Sequence, residues 1–209
     1  MSIKVNVGIT QRIDTINSRS EIRDAVDQEL INLISSLGLF PVPIPNSIIG
    51  YGEAYLYDWL EQMQINAIIL SGGNNLKEFP QRDQTEFTIL SWCENRDIPV
   101  LGLCRGMQLM AAYFGIDLEK IEGHVSRTHK VKVLSSKGEW PDEITCYHDY
   151  RIKNCPDNFE VAVVAEDKTI EAMSGRLLRW EGWMWHPERE KIFREVDLER
   201  IRNLFYEQL

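Results

Sequence analysis

The sequence predicts an α/β fold: a doubly wound, mostly parallel sheet with flanking helices and additional strands in the C-terminal half. Three observations predict it. The apolar runs at 67–70 and 99–103 are continuous, as in strands covered on both faces. Amphipathic stretches of helical period separate the runs of the first half, which makes the crossovers helical and the strands parallel. The same two runs end in glycine-rich turns, Ser71-Gly72-Gly73 and Gly102-Leu103-Cys104-Arg105-Gly106. Sheets of this kind bind ligands at that edge.

Residues 3–10 alternate apolar and polar and read as the first strand. Ser18 and Glu21 have the spacing of a capping box. Ile22, Val26, Leu30, Leu33, Ile34 and Leu37 then recur at helical spacing, and Gly38 supplies a stop. A strand at 40–44 carries Pro41 and Pro43 with Pro45 behind it, which suits a sheet edge. Helices follow at 55–64 and 82–96, the latter with Phe87, Leu90 and Trp92 among its apolar positions, and another at about 106–114. Beyond Gly115 the pattern changes to consecutive strands at 130–134, 160–165, 170–173 and 177–185. A helix at 197–208 closes the chain.

A length of 209 residues without repeat or linker fits one domain over 1–209. Lys plus Arg total 23 and Asp plus Glu 32, a net charge of −9, which argues against nucleic acid as a partner. No apolar run approaches the ~20 residues of a membrane span, and the N-terminal residues do not resemble a signal peptide. Cys93, Cys104, Cys146 and Cys155 are too few and too irregular for a disulfide framework. A reduced, cytoplasmic setting is the expectation.

The segment around Cys104 carries the chemistry. A buried strand, a glycine two residues either side of the cysteine and a following helix form a nucleophile elbow with a thiol in place of a hydroxyl. The helix N-terminus favours the thiolate. A buried structural cysteine between two incidental glycines is the competing reading. A thiolate nucleophile needs a base, and the base a group to orient it. His186 is the best placed, at the end of an apolar strand, with Glu188 two residues on and able to face the same way. His124 and His129 flank a polar stretch and read as surface residues, while His148 reads as a pocket-lining residue. A metal site from Cys146, His148 and Cys155 matches no common zinc spacing, so no metal and no cofactor is expected. The turn at Ser71-Gly72-Gly73 reads as half of an oxyanion hole, with the Arg105 N–H as the other half, or simply as a tight turn.

Gly102-Leu103-Cys104-Arg105-Gly106 with Gln108, Ser71-Gly72-Gly73 upstream and Trp185-His186-Pro187-Glu188 downstream resemble, in order and spacing, the class I glutamine amidotransferase superfamily. The resemblance covers nearly the whole chain and implies a flavodoxin-like sheet. It implies a Cys104–His186–Glu188 triad that attacks a γ-glutamyl amide. Oxyanion donors map to the N–H groups of Gly73, beside Gly72, and of Arg105, and Gln108 maps to a contact with the glutamyl backbone end. Arg105 in the elbow, Arg82, Asp83 and Glu86 at a helix start, and the segment 165–172 resemble the γ-glutamyl hydrolase branch. A solvated helix start is the alternative for the three helix-start residues.

The segments 114–120 and 145–150 depart from that branch, and the loop from Gly73 to Arg82 is short. They lie on the leaving-group side, where Tyr147, His148 and Arg105 are the candidate contacts. A γ-glutamyl nucleotide amidate of the γ-glutamyl-CDP-amidate type, used in capsule building, is therefore the expected substrate, with γ-glutamyl-γ-aminobutyrate beside it. The alternative is a glutaminase subunit that supplies ammonia to a synthase partner. Oligomeric state is not legible.

Overall fold

The computed structural model describes residues 4–206. Its main sheet has nine strands in the order β4-β1-β5-β6-β13-β12-β11-β8-β9. Five are mutually parallel: β4 (Phe40–Ile44), β1 (Asn6–Thr10), β5 (Ile65–Leu70), β6 (Val100–Leu103) and β13 (Trp180–Trp183). β12 (Ile170–Gly175), β11 (Phe159–Ala165), β8 (Val125–Val133) and β9 (Glu143–Tyr147) continue it antiparallel. The proline-bearing strand is indeed the edge strand, where a missing N–H removes no ladder bond that the sheet needs.

The continuous apolar strands feed two cores. Ala67, Ile69, Leu101 and Leu103 face one side, against Leu30, Leu33 and Ile34 of helix α1 (Gln28–Ser36) and Ile201 and Phe205 of α5 (Glu195–Tyr206). Ile68, Leu70 and Val100 face the other, against α2 (Glu53–Gln62), α3 (Pro80–Arg96) and α4 (Arg105–Tyr113). This is why those strands lack a polar face. The last helix ends, within the described residues, at Tyr206; residues 207 and 208, and residue 3 of the first strand, lie outside them.

One expected element is different. Residues 22–26 are not helical. β2 (Arg12–Ile16) and β3 (Glu21–Ala25) form an antiparallel hairpin closed by a 3-10 turn over Asn17–Arg19, and Ser18 caps nothing there. α1 starts after Asp27, whose carboxylate accepts the Glu29 N–H at 2.9 Å. Long-range bonds hold the hairpin. Asn74 accepts the Ile13 N–H at 2.8 Å, and Asp24 accepts both the backbone N–H and the side-chain amide of Asn46 at 2.8 Å. Ile22, expected on the helix's apolar stripe, is 69% exposed.

The strand expected at 177–185 is shorter, because Leu177 sits in an exposed turn, although Trp185 makes a further single bridge to Cys146. The strand expected at 130–134 begins at Val125, and β9 has no counterpart among the expected elements. The same holds for the small sheet of β7 (Leu118–Lys120) with β10 (Tyr150–Ile152).

Candidate active site

The parallel neighbours β5, β6 and β13 end side by side, and the three sequence motifs meet there. Beyond β6 the chain turns sharply at Cys104, with φ 50° and ψ −103°. A non-glycine residue held there stores about 1–3 kcal/mol of backbone strain, a recurrent property of functional turns. The Cys104 N–H donates to Trp183 O at 2.6 Å and so ties the elbow to β13. The flanking glycines are steric necessities. A Cβ on Gly102 would lie 2.5 Å from Met110 Sδ, and one on Gly106 would lie 2.2 Å from Leu70 O. α4 begins immediately after Cys104, so its N-terminus faces the thiol.

His186 follows β13 and is 5% exposed. Its Nδ1 lies 2.6 Å from Glu188 Oε1. Burial pulls the imidazole pKa down, but hydrogen bonding to the Cys104 sulfur and to Glu188 outweighs it and pushes the value up to about 9. Cys104, His186 and Glu188 thus lie in one line of thiol, imidazole and carboxylate, all buried. The turn after β5 abuts the same ring: a Cβ on Gly72 would lie 2.6 Å from His186 Cε1. Gly72→Ala should therefore displace the imidazole and lower kcat about 10- to 100-fold, with thermal stability nearly unchanged. Steady-state rates and a melting curve check this.

Gly73 has φ +79°, a left-handed conformation that suits glycine, and its carbonyl accepts from Arg82. Arg82 also donates to Ser71 O at 2.7 Å and Gly72 O at 3.1 Å, so one guanidinium shapes the whole turn. Arg82 is fully buried and pairs with Glu86 at 3.1 Å. Glu86 and Asp83 in turn accept from the Arg105 guanidinium. Burial pushes the Glu86 pKa up, but Arg82 and Arg105 hold it below the ordinary carboxylate value. The solvated reading of this helix start is thereby overturned, since Arg82 and Glu86 are wholly inaccessible. Together they clamp the elbow to the glycine turn.

A cavity of about 340 Å³ opens over Cys104, lined also by Gly73, Gln108, Tyr147 and the backbone near Tyr150. Gln108 donates to Tyr150 O at 2.9 Å, which orients its amide. Tyr147 stands at the mouth, its ring 5.9 Å from that of His186 and 4.6 Å below the Arg189 guanidinium. The other two leaving-group candidates, Arg105 and His148, also line this cavity, with their side chains set against acidic partners. The Arg105 guanidinium is engaged by Asp83 and Glu86 through its two terminal nitrogens, and its buried Nε has no partner. The His148 side chain is 1% exposed and turned toward Glu171.

Two features lay beyond sequence reasoning. The β2–β3 hairpin brings Arg12 against Gly73, and Arg12 lines this cavity as well as the one beside His186. His124 is not a surface residue: it is 3% exposed and clustered with Cys146, His148 and Glu171. Cys155, the third member of the discounted metal site, is absent from that cluster.

The sequence model of the class-I glutamine amidotransferase family matches residues 15–207. The chain belongs to this family. This amidotransferase-family chain is 30% identical over 201 residues to the gamma-glutamyl-CDP-amidate hydrolase of Campylobacter jejuni subsp. jejuni, covering 92% of this chain and 94% of that protein. It is 34% identical over 134 residues to a glutamine-hydrolyzing GMP synthase subunit from Natronomonas pharaonis, covering 61% of this chain and 68% of that one. A solved structure from Thermoplasma acidophilum, provisionally assigned to the same GMP synthase component, matches with a TM-score of 0.72 at 21% identity, over 98% of this chain and 94% of that one. Among the described residues, no helix is long and apolar enough to cross a membrane.

Proposed function

We propose that the chain, as a single domain, hydrolyses a γ-glutamyl amide through a thioester. Cys104 Sγ, its proton already passed to His186 Nε2, attacks the γ-carbonyl carbon as a thiolate. The Gly73 and Arg105 N–H groups receive the developing oxyanion, collapse breaks the C–N bond, and His186 returns the proton to the leaving nitrogen. Water then attacks the thioester with the same imidazole as base, which releases glutamate and regenerates the thiolate. Gln108 holds the glutamyl backbone end. The observation that carries this reading is the buried Cys104–His186–Glu188 line, with a cavity over Cys104 and another beside His186 and Glu188 that share Gly73 and Arg12.

The favoured substrate is a γ-glutamyl nucleotide amidate of the γ-glutamyl-CDP-amidate type, with γ-glutamyl-γ-aminobutyrate second. Similarity to the Campylobacter protein over 92% of the chain supports the first. So does the mouth of the site, where exposed Arg189 and Arg12, the latter paired with Asp14 at 2.9 Å, stand beside the reacting groups in an otherwise acidic chain. The matches to GMP synthase components favour a second reading, a glutaminase that passes ammonia to a synthase chain.

Remote contacts are used to accelerate the reacting bond, so a substrate lacking its natural leaving group loses turnover as well as affinity. The matched conjugate should show kcat/KM at least ~100-fold above glutamine, about 2.7 kcal/mol of transition-state discrimination. Glutamate release is measured with glutamine, γ-glutamyl-γ-aminobutyrate and γ-glutamyl-CDP-amidate, with no other protein present. Glutamine as the best substrate, or activity only on adding a synthase, selects the second reading.

A further inference from the structure

Behind the Cys104 cavity, four side chains from distant segments converge with no catalytic task assigned to them. His124 precedes β8, Cys146 lies on β9, His148 follows it, and Glu171 lies on β12. Each has one ligand-type atom within 4.8 Å of all the others, and all four residues are buried. The separations are 3.1 Å for His124 Nδ1–Glu171 Oε1, 3.4 Å for His148 Nε2–Glu171 Oε2 and 3.3 Å for Cys146 Sγ–Glu171 Oε2. Ligands about 2.0–2.3 Å from a tetrahedral zinc ion stand roughly 3.3–3.7 Å from one another.

The outer contacts of the two histidines settle which nitrogens face inward. His148 Nδ1 lies 3.1 Å from Tyr150 O, and a carbonyl only accepts, so Nδ1 carries the hydrogen. His124 Nε2 lies 3.0 Å from the Asp167 carboxylate, which assigns the hydrogen to Nε2. In the neutral rings, His124 Nδ1 and His148 Nε2 are then lone pairs, and they point at a carboxylate, lone pair against lone pair. Neither makes a hydrogen bond there, and Glu171 Oε1 makes none either. A buried arrangement of this kind needs a cation at its centre or a proton on each ring. A histidine whose second nitrogen donates to a carbonyl or carboxylate is the usual support of a metal ligand.

We propose that His124 Nδ1, Cys146 Sγ, His148 Nε2 and a Glu171 carboxylate oxygen form a closed, structural zinc site. A thiolate and a carboxylate balance the ion's two charges, and the mixed S, N, O set suits zinc. The thiol proton leaves to solvent on binding. The site ties β8, β9 and β12 together directly behind the reacting groups. Cys146 bridges to Trp185, the neighbour of His186, and Tyr147, between two of the ligands, packs its ring edge-on to His186. The four residues are positioning residues in this scheme.

The test uses the whole chain with Cys104→Ser, which removes the other thiol near the site, kept reduced and stripped with a chelator. Titration with zinc against a chromophoric chelator should show about one tight site per chain and a raised melting temperature. Cobalt(II) in its place should give the visible absorption of a tetrahedral centre together with a thiolate charge-transfer band. Cys146→Ser should abolish that band, and Glu171→Gln should weaken zinc binding at least ~10-fold, with circular dichroism confirming that both variants remain folded. Should either variant fail to fold, the spectrum of cobalt in the Cys104→Ser chain decides alone. Failure to bind zinc or cobalt, or a cobalt spectrum without thiolate character, overturns the site and assigns the cluster to protonated histidines. These readouts do not depend on the substrate, so they stand or fall separately from the hydrolase reading.

Discussion

Cys104→Ala should reduce glutamate release at least ~10⁴-fold, equivalent to about 5.5 kcal/mol of transition-state stabilisation. In the proposed thioester mechanism this residue supplies the atom that forms the covalent bond, so its removal takes away a step and not merely a contact. The loss should fall on kcat with KM for the γ-glutamyl conjugate little changed, because the oxyanion donors and Gln108 remain. Alanine also has no interaction that repays the φ of 50° at this position, so the variant keeps the strain without its use. In the wild type, a glutamine-directed chloroketone should add one label, and peptide mass analysis should place it on Cys104 rather than on Cys93, Cys146 or Cys155. Full activity in Cys104→Ala would sink the thioester mechanism.

Glu188→Gln should lower kcat about 10²–10⁴-fold while the fold survives. The carboxylate lies 2.6 Å from His186 Nδ1, and in the proposed mechanism it accepts that hydrogen and stabilises the imidazolium without itself taking a proton. An amide keeps the shape but not the charge. The same charge helps to hold the His186 pKa at about 9, above its ordinary 6.5. A histidine whose pKa is raised by folding contributes stability that is complete below about 6.5 and disappears as pH rises through about 9. Wild-type unfolding free energy should therefore decline across that window more steeply than that of Glu188→Gln. Denaturant titrations at about pH 6 and about pH 9.5, with imidazole NMR on both proteins, measure it. An unchanged His186 titration together with wild-type turnover would move the orienting role to another carboxylate.

Where local chemistry decides, residue order is sufficient. The runs at 67–70 and 99–103 are apolar at successive positions because both faces of their strands are covered, and their short length with glycine turns behind them selects a central strand over a buried helix. Gly102 and Gly106 bracket Cys104 because each lacks room for a Cβ, a constraint written into the chain at fixed spacing. Glu188 reaches His186 from two residues away. The Cys104 elbow, the glycine turn and the His186 strand end are therefore legible as motifs.

What stays hidden depends on pairs far apart in the chain. Residues 22–26 carry a helical period, yet bonds to Asn46 and Asn74 hold them in a hairpin, and tertiary contacts outweigh so weak a local preference. That hairpin alone brings Arg12 to the site. Arg105 has the sequence position of a ligand contact, but Asp83 and Glu86 on a separate helix claim its guanidinium. His124 stands among polar neighbours, and only the antiparallel pairing of β8, β9, β11 and β12 folds it against Cys146, His148 and Glu171. Motif spacing records which atoms one short segment can aim; it carries no record of which distant strand arrives to complete the shell, and that is decided by the packing of the sheet.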